Sequence, residues 1–151
     1  MIDLTGRHIF VVGGSRGIGA AAARMAAKAG ARVSVNYVSN GEAAQRVAAD
    51  ITADGGQSFA FQADAAEEGA LDAAVRESVA RLGPLHGMVV SAGIFEGLPI
   101  EEMTGAFWDR VMSVNLRGTF LAVRAIVPHL RSSGVGGSVV IYTSTAGQRG
   151  S

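Results

Sequence analysis

The chain has 151 residues, 48% of them hydrophobic and 17% charged, and its formal net charge at pH 7 is zero. This composition predicts one globular domain over residues 1–151, and the balanced charge argues against nucleic acid or a membrane surface as a partner. There is no cysteine, which excludes disulfides and thiolate metal sites, and no apolar stretch approaches the ~18 residues that span a bilayer.

Short apolar runs alternate with amphipathic stretches along the chain. Strands are predicted at 8–12, 32–36, 58–62, 87–90 and 138–142. Helices are predicted at 18–29, 41–54 and 71–82, and from 103 to about 131 with an interruption near Gly118 and a kink or end at Pro128. Because helices separate the strands, the strands must be parallel. We expect an α/β fold: a Rossmann-type doubly wound sheet of about five strands in the order 3-2-1-4-5, with helices on both faces.

A glycine-rich loop, GGSRGIG at 13–19, joins the first predicted strand to an alanine-rich helix. This arrangement places backbone N–H groups and a helix N-terminus against a pyrophosphate. A nucleoside-triphosphate loop would need a lysine after its last glycine, but Ala20 and Ala21 follow Gly19. An ordinary glycine-rich turn is the remaining alternative. The position of the loop at the head of a repeated strand–helix pattern favours dinucleotide binding.

The end of the second predicted strand bears on which dinucleotide is bound. A site for NAD usually has an acidic residue there, which bonds the ribose 2′-hydroxyl. The stretch from Asn36 to Asn40 has none. Arg16, in the glycine loop, could pair with a 2′-phosphate, although it could also be a solvated loop charge. Both observations favour NADP over NAD.

Five short motifs resemble those of the short-chain dehydrogenase/reductase family, especially members such as 3-oxoacyl-acyl-carrier-protein reductase. Gly13-x-x-x-Gly17-x-Gly19 matches the family's glycine motif, with Val12 in place of its threonine. The other matches are Asp64 with the acid that contacts adenine, Ser91-Ala92-Gly93 with Asn-Asn-Ala-Gly, Asn115 with the helix asparagine and Ser144 with the catalytic serine. Val90 and Ser91 stand where the family has two asparagines.

The resemblance implies hydride transfer between a nicotinamide and a carbonyl or alcohol substrate. It also implies roles for Ser144, which would donate a hydrogen bond to the reacting oxygen, and for Asn115, which would hold a water for proton relay. The predicted cofactor-binding residues are Gly13, Ser15, Arg16, Gly17, Ile18, Gly19, Asn36, Asp64, Ala65, Ser91, Ala92 and Gly93.

The family's proton donor and its partner form a Tyr-x-x-x-Lys motif about a dozen residues after the serine. Neither tyrosine of this chain, Tyr37 or Tyr142, has a lysine four residues on, and the one lysine is Lys28. We therefore expect the N-terminal portion of a reductase, incomplete at its C-terminus and inactive alone. A non-catalytic dinucleotide-binding module and a poorly folding fragment with an exposed apolar edge at the fifth strand are the alternatives.

The remaining expectations concern metals, packing and partners. His8, His86 and His129 show no ligand spacing, so we expect no metal site. Met25 and Trp108 are predicted to pack against the fold, and Phe120 could be core or subunit interface. By resemblance, the full-length protein is expected to be a homo-oligomer. The opening residues contain Asp3 and no long apolar core, so we expect no signal peptide and a cytoplasmic protein.

Overall fold

The structure is a computed structural model that describes residues 2–149. Its strands are β1 His8–Val12, β2 Arg32–Tyr37, β3 Gln57–Gln62, β4 Gly87–Val90 and β5 Ser138–Ile141. They form one sheet in the order β3-β2-β1-β4-β5, and every neighbouring pair is parallel. The predicted Rossmann-type sheet and its strand order are therefore confirmed.

Helices cover both faces of the sheet and give three layers. They are α1 Gly17–Lys28, α2 Gly41–Ala53, α3 Ala70–Leu82, α4 Gly105–Met112, α5 Gly118–Ser132 and the short α6 Ala146–Arg149. One core, which includes Val11 and Val47, lies between the sheet and α1 and α2. The other, which includes Phe10 and Ile126, lies between the sheet and α3 and α5. Because β1 is covered on both faces, its sequence is a nearly continuous apolar run.

The long helical region predicted from 103 to 131 is two helices. A π-helical turn, Ser113–Arg117, separates α4 from α5, and a 3₁₀ turn, Ile100–Glu102, precedes α4. The predicted interruption thus falls just before Gly118, while Pro128 lies within α5 and does not end it. Pro128 is exposed, so water can hydrate the carbonyl group that loses its N–H partner there.

Two apolar side chains predicted to pack are exposed instead, Met25 to 70% and Trp108 to 60%. The buried side of α1 is formed by Gly19, Ala20 and Ala23, whose small size lets the helix approach the sheet closely. Met25 projects from another side of α1, so the expectation for it is wrong. The expectation for Trp108 is wrong for the same kind of reason, since no residue of α4 is buried.

Strand β5 lies at one edge of the sheet and pairs with β4 only. All four of its residues are exposed, including Val139, Val140 and Ile141. The exposed apolar edge considered from the sequence is therefore present. Within residues 2–149 no helix is long and apolar enough to cross a membrane, and no cluster of three His, Cys, Asp or Glu side chains is arranged to hold a metal ion.

The amino-terminal edge of the sheet contains a buried histidine. His8 is fully buried, with Nδ1 2.8 Å from the carbonyl oxygen of Gly83 and Nε2 2.7 Å from the hydroxyl of Ser34. These partners fit the neutral tautomer in which Nδ1 donates to Gly83 and Nε2 accepts from Ser34. Desolvation lowers the pKa of His8 to about 4, against the opposing effect of the Gly83 carbonyl. This arrangement gives His8 a structural role at the start of β1.

Candidate functional site

The loops that follow β1, β2 and β4 meet at the carboxyl edge of the sheet and enclose a cavity of about 540 Å³. The strand order reverses between β1 and β4, and this is where ligands bind in open α/β sheets. The cavity is lined by Gly13, Ser15, Arg16, Gly17, Ile18, Gly19, Tyr37, Val38, Ser39, Asn40, Ser91, Ala92 and Gly93. Nine of the twelve residues predicted to bind a cofactor are among them.

Two glycines give this loop its shape. A Cβ atom added to Gly19 would lie 2.2 Å from the carbonyl oxygen of Gly13 and 2.3 Å from Oγ of Ser91, so only glycine lets α1 start this close to β1 and β4. Gly17 has a φ of +54°, and an added Cβ would meet nothing within 4 Å. Its glycine is required by backbone conformation, and the space in front of it is open to the cavity.

The N-terminus of α1 faces this cavity without a side-chain cap. Arg16 occupies the N-cap position but makes no capping hydrogen bond, and the first turn holds no acidic residue. In contrast, Asn40 Oδ1 accepts from the Ala43 N–H at the start of α2, and Thr104 Oγ1 accepts from the Phe107 N–H at the start of α4. The first N–H groups of α1 and its dipole therefore present partial positive charge to a ligand.

The charge of the lining agrees with this polarity. Arg16 is exposed and is the only Arg, Lys, Asp or Glu residue among those that line the cavity within residues 2–149. The ion pairs found in that part of the chain do not involve it. An anion would therefore meet a guanidinium and a helix N-terminus with no carboxylate beside them.

The turn after β2 contributes lining residues that were not among the predicted cofactor-binding residues. Tyr37, Val38, Ser39 and Asn40 all reach the cavity. Their position in the sequence could have indicated this role, since an NAD site has its acidic residue at the end of the second strand. The Tyr37 ring packs against the start of α2, where a Cβ on Gly41 would lie 3.2 Å from it.

Three predicted cofactor-binding residues do not line this cavity. The Asn36 side chain is 1% exposed, and its Nδ2 donates to the carbonyl oxygens of Ala63 at 3.0 Å and Phe61 at 3.3 Å. The Asn36 amide thus bonds β3 and its continuation, and Asn36 is not among the residues that line the cavity. Asp64 is half-buried and its Oδ1 accepts from the Ala66 N–H at 2.8 Å, while Ala65 is buried in the core.

Ser91 links the ends of β4 and β1. Its single hydroxyl hydrogen is shared between the carbonyl oxygens of Val12 at 3.0 Å and Gly13 at 3.1 Å, and its N–H donates to the Val12 carbonyl at 2.9 Å. A serine at this position therefore ties the two central strands together where the resembled family has an asparagine.

Asn115 and Ser144 do not line this cavity. Asn115 is in the π-helical turn, and its Oδ1 accepts from the Ile94 N–H at 2.8 Å while its Nδ2 donates to the Ile94 carbonyl at 2.9 Å. Ser144 follows β5, is exposed, and accepts from the Ala146 N–H at 3.1 Å. Among residues 2–149 its own hydroxyl hydrogen is donated to no acceptor, and it makes no hydrogen bond with Asn115.

The one lysine lies away from these groups. Lys28, at the end of α1, lines a hollow of about 660 Å³ at the amino-terminal edge of the sheet, together with Arg32 and Asp54. That hollow contains none of the predicted site residues. Lys28 is therefore not placed to act with Ser144 or Asn115.

A family profile described as short chain dehydrogenase matches residues 7–151. The chain belongs to the short chain dehydrogenase family. The resemblance noted from the five motifs is thus confirmed, and the cavity at the carboxyl edge of β1, β2 and β4 belongs to a short chain dehydrogenase fold.

Relatives within the family support the assignment, and the chain spans less than two thirds of their length. It is 40% identical over 144 residues to an uncharacterised oxidoreductase of Methylorubrum extorquens, an alignment that covers 95% of this chain and 57% of the relative. It is 34% identical to a 3-oxoacyl-[acyl-carrier-protein] reductase of Synechocystis, covering 99% of this chain and 60% of the relative. A crystal structure of a dehydrogenase/reductase from Sinorhizobium meliloti superposes with a TM-score of 0.92 at 44% identity, covering 97% of this chain and 57% of that one.

Proposed function

We propose that this chain is the cofactor-binding portion of an oxidoreductase that transfers a hydride between NADP(H) and a carbonyl or alcohol substrate. The observation that carries the proposal is the N-terminus of α1, which has no side-chain cap and faces a cavity that, within residues 2–149, is lined by Arg16 and by no carboxylate. A diphosphate has the charge and the acceptor oxygens that this arrangement suits. When bound, the nicotinamide would supply the hydride chemistry.

The choice of NADP over NAD rests on two parts of the cavity lining. Arg16 and the turn from Tyr37 to Asn40 both line the cavity, and within residues 2–149 no acidic residue of the lining would repel a 2′-phosphate. The guanidinium of Arg16 would pair with that phosphate, and the Ser39 hydroxyl would be a second donor. The amide oxygen of Asn40 already caps α2, so this side chain is the less available one.

The roles proposed for Ser144 and Asn115 follow from their hydrogen bonds. Within residues 2–149 the Ser144 hydroxyl hydrogen has no acceptor, so it would be donated to an oxygen that gains negative charge during reduction. Asn115 holds the loop after β4 through Ile94, and its second amide hydrogen and second oxygen lone pair could hold a water. The 151 residues contain no Tyr-x-x-x-Lys, so we expect no turnover by this chain alone.

A second candidate function is a dinucleotide-binding module without catalysis. It is favoured by the residues four positions after Tyr37 and Tyr142, which are Gly41 and Ala146 rather than lysine. The coding sequence beyond Ser151 separates the two candidates. A tyrosine and a lysine spaced as the family requires would support the oxidoreductase, and a stop codon there would support the module.

We also infer that the complete protein self-associates through α4 and α5. Trp108, Leu116 and Phe120 are each about 60% exposed, and they follow one another along these helices and the turn between them. An exposed apolar patch of this kind marks an interaction surface in soluble proteins.

Titration of the purified chain with NADPH, followed by nicotinamide fluorescence, tests the proposed function. We expect a saturable change, with NADH binding more weakly. A chain that is folded by circular dichroism but gives no saturable signal with either cofactor would remove both the oxidoreductase and the module.

A further inference from the structure

We propose that Asn36 is a positioning residue, whose buried amide places the wall of the site that receives the adenosine half of the dinucleotide. The inference rests on the proposed function, because it concerns how the same cavity is built. It assigns Asn36 no contact with the cofactor. Its action is exerted through the turn after β2 and through the chain that leaves β3.

Asn36 bonds two segments at the cavity end of the sheet. The Asn36 carbonyl oxygen accepts from the Gly14 N–H at 2.8 Å, which connects β2 to the glycine loop. Its side-chain Nδ2 donates to the Ala63 carbonyl at 3.0 Å and the Phe61 carbonyl at 3.3 Å, which connects β2 to β3. The loop that holds the diphosphate and the segment beyond β3 are therefore both fixed to a single residue.

The Asn36 amide extends the link between β2 and β3 past the end of their ladder. The pairing of β2 with β3 ends at Tyr37 and Gln62, and the next N–H, that of Ala63, donates to Tyr37 at 2.9 Å. The Ala63 carbonyl then lies beyond the ladder, and the Asn36 amide bonds it in place of another strand residue. Asp64 comes next, with its carboxylate turned to the Ala66 N–H. The Asn36 amide thus fixes the direction in which the chain leaves β3 towards Asp64.

Burying an amide at this position costs free energy unless its hydrogens are bonded. Asn36 follows Val33 and Val35 on a buried strand, and an amide there is tolerated only because its hydrogens are bonded. Tyr37, the residue after it, begins the turn that lines the cavity. A polar side chain that links two segments at the cavity end of a buried strand specifies their relative position.

The chain contains a matched control for this bond. Ser58 is also buried, and its hydroxyl donates to the Val33 carbonyl at 2.8 Å, so it joins the same two strands. It does so at the amino end of the pair, away from the cavity. Removal of either bond should lower stability, but only removal of the Asn36 bonds should disturb the site.

Calorimetric titration of the 151-residue chain with the two halves of the cofactor tests the proposal. Adenosine 2′,5′-bisphosphate probes the adenosine half, and reduced nicotinamide mononucleotide probes the other. For Asn36→Ala we expect the Kd for the bisphosphate to rise about fivefold to tenfold, which lies within the range of a net hydrogen-bond contribution. We expect a change of less than about twofold for the mononucleotide, and no change in either Kd for Ser58→Ala, since that bond lies outside the site.

The outcomes separate this proposal from the proposed function. If the wild-type chain binds neither NADPH nor the bisphosphate, the proposed function fails. If it binds them and Asn36→Ala binds both halves as the wild type does, or loses both equally, the role assigned to Asn36 is wrong. Asn36→Ser replaces Asn36→Ala if the latter does not fold, and the same selective loss is required. If neither variant folds, Asn36 serves stability alone and the inference is overturned.

Discussion

The side-chain amide of Asn115 holds the backbone of Ile94 from both sides, with Oδ1 accepting from its N–H at 2.8 Å and Nδ2 donating to its carbonyl at 2.9 Å. Asn115 lies in the π-helical turn between α4 and α5, and Ile94 lies in the loop after β4 that contributes Gly93 to the cavity. The asparagine that the resemblance assigned to catalysis therefore also fixes the shape of the candidate site.

We expect Asn115→Ala to lower the free energy of unfolding by about 1 kcal/mol, since two hydrogen bonds at an exposed side chain are lost. Amide hydrogen exchange of Ile94 should accelerate because its acceptor is removed. Asn40→Ala is the control, as it removes an amide that also accepts a backbone N–H, at the start of α2. Unchanged exchange at Ile94 in Asn115→Ala would contradict the role described for this pair.

The preference for NADP depends on Arg16. Arg16→Ala should raise the Kd for NADPH by about tenfold, the value of a charge-assisted hydrogen bond to phosphate, and change the Kd for NADH by less than about twofold. Fluorescence titration measures both. Arg76→Ala, on the exposed side of α3, serves as the control and should change neither. An equal loss of affinity for the two cofactors would show that Arg16 does not read the 2′-phosphate.

The buried His8 predicts how stability depends on pH. Its pKa is lowered from 6.5 to about 4 in the folded chain, so the unfolded chain takes up the proton first as the pH falls. The free energy of unfolding should therefore be highest above pH 6.5 and decline towards pH 4, by about 3 kcal/mol in total. The lowered pKa of His86, caused mainly by desolvation, acts in the same direction.

Urea unfolding across this pH range measures the decline, and NMR titration of the His8 ring identifies its source. Glu68, whose pKa is lowered mainly by its hydrogen bond from Arg124, loses its contribution only at a lower pH. A His8 ring that titrates near pH 6.5 in the folded chain would contradict the burial described here.

Self-association through α4 and α5 predicts an effect of Phe120, which is 59% exposed. Phe120→Glu should shift the chain to a monomer in sedimentation velocity at concentrations where the wild type forms a larger species. Phe59→Glu, at a 42% exposed phenylalanine on the opposite edge strand β3, is the control and should leave the larger species in place. If the wild-type chain stays monomeric at all concentrations tested, this result would contradict an interface built from this chain alone.

The sequence was sufficient for the parallel strands and the glycine loop because both follow from strong local rules. Strands alternating with helices must be parallel, and a glycine loop between the first strand and the first helix is recognised by its residues and its position, which also indicate the Rossmann-type strand order. The role of Asn36 could not be predicted in this way. An amide at the end of β2 suits a ligand contact as well as a cross-strand bond, and only the register that places Asn36 opposite Phe61 decides between them.

The exposed side of α1 also could not be predicted from the sequence. Because α1 is rich in alanine, its apolar periodicity hardly distinguishes the side of Met25 from the side of Ala23. The π-helical turn at Ser113–Arg117 has no composition signal either, since its residues suit an ordinary helix.

The measurement that tests the account most directly compares two glycine variants in NADPH titration. Gly17 and Gly55 both have positive φ, +54° and +88°, and an added Cβ meets nothing within 4 Å at either position. Gly17→Ala and Gly55→Ala should therefore lose similar stability, about 1–2 kcal/mol each, from the strained backbone. Only Gly17 faces the cavity at the start of α1. We predict that Gly17→Ala weakens NADPH binding at least about tenfold, because its methyl group displaces the diphosphate from the helix N-terminus, while Gly55→Ala binds as the wild type does. Equal NADPH affinity in the two variants would contradict the central claim that the diphosphate rests at the N-terminus of α1.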